Sequence, residues 1–482
     1  MKIPFGGQML LLGCGSVSRC LQPLILRHIE MDFSKLTILD FADLRALIPE
    51  TLNAGAFYAQ EKVEDDNMHE VLSQYVGPGG ILIDLAWNID ATDVIQWCHD
   101  QGVMYLNTSV ELWDPYDFNT HPTNRTLYVR HMKLREMVKR WTTPGPTVVV
   151  EHGANPGLAS HWTKKGLEDI AHSILKQGIA PEKHPLLEKA LSDRDYPRLA
   201  MIEGVKVIHV SERDSQMSQE PKLPNEFVNT WSIEGLREEG MAPAEMGWGT
   251  HERRLPFGAH VHRNGPRNQI CLSQMGIETW VRSWVPLSGE IIGMVIRHGE
   301  AFTISDYLTV WDGEDALYRP TVHYAYHPCD AALASLHEFK MRNYQMQPRQ
   351  RILSSEIIEG RDELGVLLMG HDLNGWWVGS QLDIHETRKH VRDENATTLQ
   401  VASSILGAIT WMIRNPLRGF NVPDNLPHEE VLAVAQPYLG ITQSIQTDWT
   451  PLKDRQNVFA GYGEYMPLPE DVWQFDSFYV DI

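Results

Sequence analysis

The sequence predicts an α/β chain, in which a Rossmann-type, doubly wound parallel sheet is joined to an α+β unit with a mixed sheet. A glycine turn, Gly13-Cys14-Gly15-Ser16-Val17-Ser18, sits between the apolar run Met9-Leu10-Leu11-Leu12 and a helix-like stretch near residues 21–27. Strand-like and helix-like runs then alternate through the first 150 residues. After Gly157 the alternation gives way to aromatic residues, turns and short β-like runs.

Each element has its own reason. Gly13 permits the tight turn, and Gly15 has no side chain to hold the backbone away from a phosphate. The helix that starts at Ser16 and Val17 offers free N–H groups and partial positive charge to an anion. The usual third glycine is Ser18, still small enough for close helix–strand packing. The run Leu36-Thr37-Ile38-Leu39 ends in Asp40, placed to accept hydrogen bonds from an adenosine ribose. That carboxylate repels a 2′-phosphate, and no basic residue follows before Arg45, so NAD is expected over NADP.

Residues 81–85 and 103–106 read as buried strands around a helix at 93–100, which Gly102 stops. A second helix is expected over 126–141, and residues 147–150 form the last clear strand. This βα order implies a parallel sheet with ligands at the carboxyl ends of its strands. Further on, residues 206–210, 279–281, 291–295 and 307–310 are β-like. Residues 396–414 form a long apolar helix expected to pack back on the nucleotide unit, and 450–482 read as a proline- and acid-rich tail. The expected division is 1–152 for the dinucleotide, 153–390 for the substrate, and 391–482 for the returning helix and tail.

The 482 residues suffice for two or three domains, and no apolar stretch approaches twenty residues, so a soluble protein without membrane contact is expected. The N-terminus lacks a secretory pattern, and five scattered cysteines (Cys14, Cys20, Cys98, Cys271, Cys329) fit free thiols in a reducing cytoplasm. A net charge of −21 argues against nucleic acid and favours the approach of a cation, with solubility alone as the competing reading.

Directly after residues 147–150 comes Glu151-His152-Gly153-Ala154-Asn155-Pro156-Gly157. A loop at a strand's carboxyl end holds ligands in this fold, and Asn155 can donate and accept there; a structural turn is the competing reading. Trp231 lies in Asn229-Thr230-Trp231-Ser232-Ile233-Glu234-Gly235, followed by Glu238-Glu239-Gly240. An aromatic face beside carboxylates recognises an organic ammonium, although a core tryptophan and a solvated acidic face remain open. Glu111, near the end of the 103–106 strand, is placed to face the cofactor; Glu212, His298 and Glu300 are further candidates. The pairs His260/His262 and His323/His327 lack a third ligand at suitable spacing, so no metal site is expected.

These blocks together resemble the bacterial homospermidine synthases, within the saccharopine dehydrogenase-like group. The likeness runs through Gly153–Gly157, Asn229–Gly235, Glu245-Met246-Gly247-Trp248-Gly249-Thr250, His323-Tyr324-Ala325-Tyr326-His327-Pro328-Cys329 and Asp362-Glu363-Leu364-Gly365. It implies a homodimeric enzyme, with dimer contacts in 153–390, that joins two putrescine molecules into homospermidine and releases ammonia. The implied route is oxidation to an imine, attack by the second diamine and re-reduction, with NAD regenerated each cycle. Related diamines and polyamines would be its other partners. Trp231 would face a cationic amine or iminium, and Glu239 and Glu212 would hold ammonium groups. Glu111, Asn155, His298 and Asp362 would surround the reacting end, with Glu239, Glu111 and His298 all open as the base. The family pattern suggests an acid where this chain has Asn88, which changes the pocket's charge count. The alternatives are an imine reductase of the saccharopine or carboxynorspermidine dehydrogenase type, or an NAD-binding sensor without turnover. A carboxylate-bearing substrate needs basic residues, whereas the residues singled out here are mainly acidic.

Overall fold

Strands made almost wholly of buried apolar side chains build the first sheet. Every residue of Met9–Leu12 and of Ile81–Asp84 is buried, as a parallel sheet covered on both faces requires. The computed structural model describes residues 2–116, 120–455, 459, 462 and 466–480. In space the seven parallel strands run Phe420–Asn421, Val148–Val149, Met104–Asn107, Ile81–Asp84, Met9–Leu12, Leu36–Asp40, Phe57–Gln60. From Met9–Leu12 the chain winds first toward Phe57–Gln60 and then back to Ile81–Asp84 on the other side. The order therefore reverses beside Gly13, and a crevice opens there at the strands' carboxyl ends. Capping side chains fix the helix starts: Thr92 N–H donates to Asp90 before Ala91–Gln101, and Val129 N–H donates to Thr126 before Leu127–Val138.

Among the described residues the second sheet has eleven strands. Its centre sets Thr321–His327 parallel to Val207–Asp214, which lies antiparallel to Arg361–His371, itself paired with Asn374–Asp383. The helix Leu158–Gln177 packs on this face through Leu158, Trp162, Leu167, Ile170 and Ile174. The expected strand at 307–310 is corrected: Tyr307 closes the helix Gly299–Tyr307, and a strand begins only at Val310. Buried Ala301, Phe302, Ile304 and Leu308 follow helical spacing, so the apolar run there belongs to a helix end.

The last segment joins both sheets. Asn395 caps the helix Ala396–Arg414 by accepting from Thr398 N–H, and the helix packs against Ser16–His28 through an apolar core. By length and composition this helix could cross a membrane, but 89% of its apolar window is buried inside the protein. Phe420–Asn421 then adds to the first sheet and Ile441–Thr447 to the second. Tyr479–Val480 pairs with Trp280–Val285, while Phe475 and Phe478 are buried in the second sheet's core. All five cysteines are free and buried.

Candidate active site

At the crevice of the first sheet lies a cleft of about 850 Å3 bordered by Gly13, Gly15, Asp40, Phe41, Asn88 and Trp113. Asp40 lies at its edge, and its carboxylate also braces the glycine turn, accepting from Cys14 N–H at 2.7 Å and Ala42 N–H at 2.9 Å. Sequence reasoning gave Asp40 only the ribose and missed this second task. The helix after the turn starts at Ser16 and Val17 with no side-chain cap on its free N–H groups, and a side chain at Gly15 would point into empty space. An uncapped helix end facing an open cradle fits a dinucleotide pyrophosphate.

In the second unit, strand register assembles a buried acidic cluster. Glu212 and Asp214 lie two apart on one strand and so face the same way, and Asp214 sits directly opposite Asp362. All three are buried, and among the described residues none forms an ion pair with lysine or arginine. Burial raises Glu212 to about 7 and lifts Asp214; burial and the charges of Glu212 and Asp214 lift Asp362 further. Glu212 accepts from the Tyr324 hydroxyl and, at 3.2 Å, from Asn155 Nδ2. Asp362 accepts from Thr397 Oγ1 at 2.5 Å and shares a hydrogen bond with Glu212, which favours the protonated form of Asp362. Asp214 accepts from Thr230 Oγ1 at 2.6 Å and from Gln216 N–H at 2.8 Å, so hydrogen bonds hold these carboxylates while no ion pair neutralises them, chemistry that suits an organic cation.

Tyr324 and Tyr326 alternate on Thr321–His327 with their rings stacked at 5.2 Å, and Trp231 Nε1 donates to Tyr326 Oη at 2.9 Å. Sequence reasoning noticed this stretch for its flanking histidines. His323 instead lies against His209 in the core, and His327 Nδ1 contacts the Ile292 carbonyl at 2.7 Å. The tyrosines between them face the site; their period-two spacing beside the strand carrying Glu212 and Asp214 was the signal available.

The ring of Tyr324 also lies 4.3 Å from that of His298. His298 Nε2 is 3.1 Å from Glu239 and Nδ1 is 3.3 Å from buried Glu300. Burial pulls the imidazole's pKa down, but Glu300 and Glu239 outweigh it and hold His298 protonated well above its usual range. Burial in turn raises Glu239. Glu111, accepting from Ser109 Oγ at 2.7 Å, is raised to about 7 by burial and by the Glu238 charge. Glu111, Glu151, Pro156, Glu238, Glu239 and His298 border a cavity of about 20 Å3.

The structure thus brings together Trp231, Glu239, Glu111, His298, Asn155, Glu212, Glu300 and Asp362. Asn88 borders the dinucleotide cleft, not the acidic cluster, and Glu234 turns outward to Tyr116 and Arg237. Arg130, Arg297, Asp214, Tyr324 and Tyr326 complete the site without having been singled out from the sequence.

A dinucleotide crevice opposite an acidic substrate unit defines the class of dehydrogenase-related enzymes. Two family models agree with it: the saccharopine dehydrogenase NADP binding domain over residues 9–149 and the saccharopine dehydrogenase C-terminal domain over 153–445. The chain is 40% identical to a homospermidine synthase of Blastochloris viridis, covering 97% of this chain and 96% of that one. It is 38% identical to one from Mesorhizobium japonicum, covering 98% and 96%. The crystal structure of homospermidine synthase from Legionella pneumophila in complex with NAD superposes with a TM-score of 0.86 at 35% identity, covering 99% of each chain. The chain belongs to the homospermidine synthase family.

Proposed function

We propose that this chain is an NAD-dependent homospermidine synthase that condenses two putrescine molecules and releases ammonia, working as a cytoplasmic homodimer. The observation that carries the reading is the buried set Glu212, Asp214 and Asp362, without an ion pair to lysine or arginine among the described residues and beside the stacked rings of Tyr324 and Tyr326. A dehydrogenase acting on a carboxylate-bearing imine would need free cations, yet Arg130 and Arg297 both pair with Glu238.

The Gly13–Val17 turn would hold NAD with Asp40 at the ribose, and the cofactor would supply removal and return of a hydride there. The chain's own residues do the rest. Glu212 and Asp362 hold the distal ammonium, while the Trp231 face stabilises positive charge at the reacting carbon. The attacking amine, with an intrinsic pKa of about 10, must first lose a proton. Glu111, poised at about 7, is best matched to take it near neutrality. Protonated His298 positions Glu239 and Glu300 around the reacting end. The second diamine's nitrogen adds to the iminium carbon of the first and the original carbon–nitrogen bond breaks: R–CH=NH2+ plus R′–NH2 gives R–CH=NH–R′+ plus NH3. Asn155 and Pro156 occupy the junction between the two units.

Purified protein incubated with isotopically labelled putrescine and substoichiometric NAD is expected to yield labelled homospermidine exceeding the NAD added, read by mass spectrometry. No product from folded, NAD-binding protein would overturn the reading. Trp231→Ala is expected to lower kcat/KM for putrescine by about 30-fold, the worth of a desolvated cation–π contact of about 2 kcal/mol. Its melting temperature should change little, because Trp231 is only half-buried; turnover equal to wild type would remove the ring from the mechanism.

A further inference from the structure

Glu151 is buried at the carboxyl end of the first sheet, and the condensation route gives it no task, although it borders the cavity beside Glu111, Glu239 and His298. Its backbone has φ of +55°, in the left-handed region that glutamate rarely adopts. The neighbouring strand holds it there. Glu151 N–H donates to Asn107 Oδ1 at 2.7 Å, and His152 N–H donates to the Asn107 carbonyl at 2.8 Å. Asn107 Nδ2 in turn donates to Tyr105 Oη at 3.1 Å, and Tyr105 Oη to Asp84 at 2.9 Å. Backbone strain held in this way beside a reacting cavity marks a residue whose side chain has to point in one direction.

That direction is toward the second unit. The Glu151 carboxylate meets His131 Nε2 at 2.7 Å, and both side chains lie against the helix Gly299–Tyr307. A Cβ added at Gly299 would overlap the Glu151 carboxyl group, to which its three nearest atoms all belong. That group is buried and could give way only by leaving His131. One turn further along the helix, the His131 ring lies 4.8 Å from that of Phe302. His298 immediately precedes this helix, and Glu300 is its second residue. The His298 ring itself touches Glu239, Glu300 and Tyr324, all of the second unit. The chain on either side of it meets the first unit: Arg297 donates to the Arg125 carbonyl at 2.7 Å, and Gly299 and Phe302 rest on Glu151 and His131.

We propose that Glu151 is a positioning residue for the condensation: propped by His131, its carboxyl group seats the start of the helix Gly299–Tyr307 and so sets where His298 and Glu300 stand relative to the dinucleotide crevice. This rests on the synthase reading above. The reaction draws on the reach of the side chain, not on its charge, because the task is met by contact with Gly299. Gly299 is the matching half of the seat, since a side chain there displaces the carboxyl group.

The experiment separates reach from charge. Glu151→Asp keeps the charge and draws the carboxyl group back by one methylene; Glu151→Gln keeps the reach and removes the charge. Both kcat and KM for putrescine are measured per NAD-binding site, so that unfolded protein does not count. Glu151→Asp is expected to lower kcat about 10- to 100-fold, the cost of displacing a reacting group by about 1 Å, with KM within about twofold of wild type. Glu151→Gln should keep kcat within about threefold. Gly299→Ala should lower kcat as Glu151→Asp does. In the double variant the shorter side chain makes room for the methyl group, and kcat should recover at least about threefold over Gly299→Ala alone. A loss in Glu151→Gln as large as in Glu151→Asp would make charge the essential property and overturn the seat. Wild-type kcat per site in Glu151→Asp would overturn it too, whatever the melting temperature, because the side chain would then serve folding alone. So would a double variant no faster than Gly299→Ala. Should Gly299→Ala not fold, the order of the two Glu151 variants decides. Absence of homospermidine from the wild type would instead overturn the functional reading.

Discussion

Glu212→Gln is expected to reduce kcat/KM for putrescine by about 30- to 5,000-fold, the range that follows from removing one partner of a buried charge pair worth about 2–5 kcal/mol. The substitution keeps the side chain's shape, and its oxygen can still accept from Tyr324 and Asn155, so the loss reports charge and not packing. Stability should move the other way. Glu212 and Glu111 stand at about 7 when folded, above the ordinary carboxylate range of the unfolded chain. A raised folded-state pKa means that their contribution to stability is full below the unfolded value and is lost as pH rises through about 7. The apo protein should therefore melt at progressively lower temperature from pH 5 to pH 8, and Glu212→Gln should flatten that decline. Near pH 5 the variant and wild type should melt together; at pH 8 the variant should be the more stable. Added putrescine should restore the wild type at pH 8 and scarcely affect the variant. Undiminished kcat/KM with an unchanged melting profile would remove Glu212 from the ammonium site.

The pocket's chemistry explains why half of it was legible in the sequence and half was not. The glycine turn, the strand ending in Asp40 and the helix Ala396–Arg414 are local patterns, set by apolar periodicity and caps such as Asn395. The acidic cluster is not local. Asp214 and Asp362 meet because of strand register, and no single stretch of chain records that Val207–Asp214 lies between Thr321–His327 and Arg361–His371. Position in the sequence pointed to Asn155, Glu212 and His298, and family resemblance added Asp362. Neither gave a role to Tyr324, which touches both Glu212 and the His298 ring and so joins the two carboxylate clusters. The 307–310 run shows the converse failure: apolar spacing too short to separate a helix end from a strand. Residues 391–482 read in sequence as a returning helix and a tail, yet they supply one strand to the first sheet and two to the second.

Gly15→Leu is expected to abolish measurable NAD binding, with an affinity loss of at least about 100-fold, while leaving the fold intact. The two glycines of the turn make the contrast. Gly13 has φ of +94°, and a side chain there would lie 2.9 Å from the Leu85 carbonyl oxygen, so substituting it strains the protein itself. Gly15 has ordinary geometry, with φ of −68° and no atom within 4 Å of an added Cβ. Its absent side chain leaves room for the pyrophosphate before the helix N-terminus, and a leucine there would occupy that room. The expected cost to folding is only the cap preference, about 1 kcal/mol or less. Calorimetric titration with NAD, beside thermal melts of the apo protein, separates these effects: binding should vanish while the apo melting temperature stays within a few degrees, by the usual relation of about 2–4 °C per kcal/mol. Retained affinity would mean that the dinucleotide does not cross this turn, and both the cofactor site and the role of Asp40 beside it would fall together.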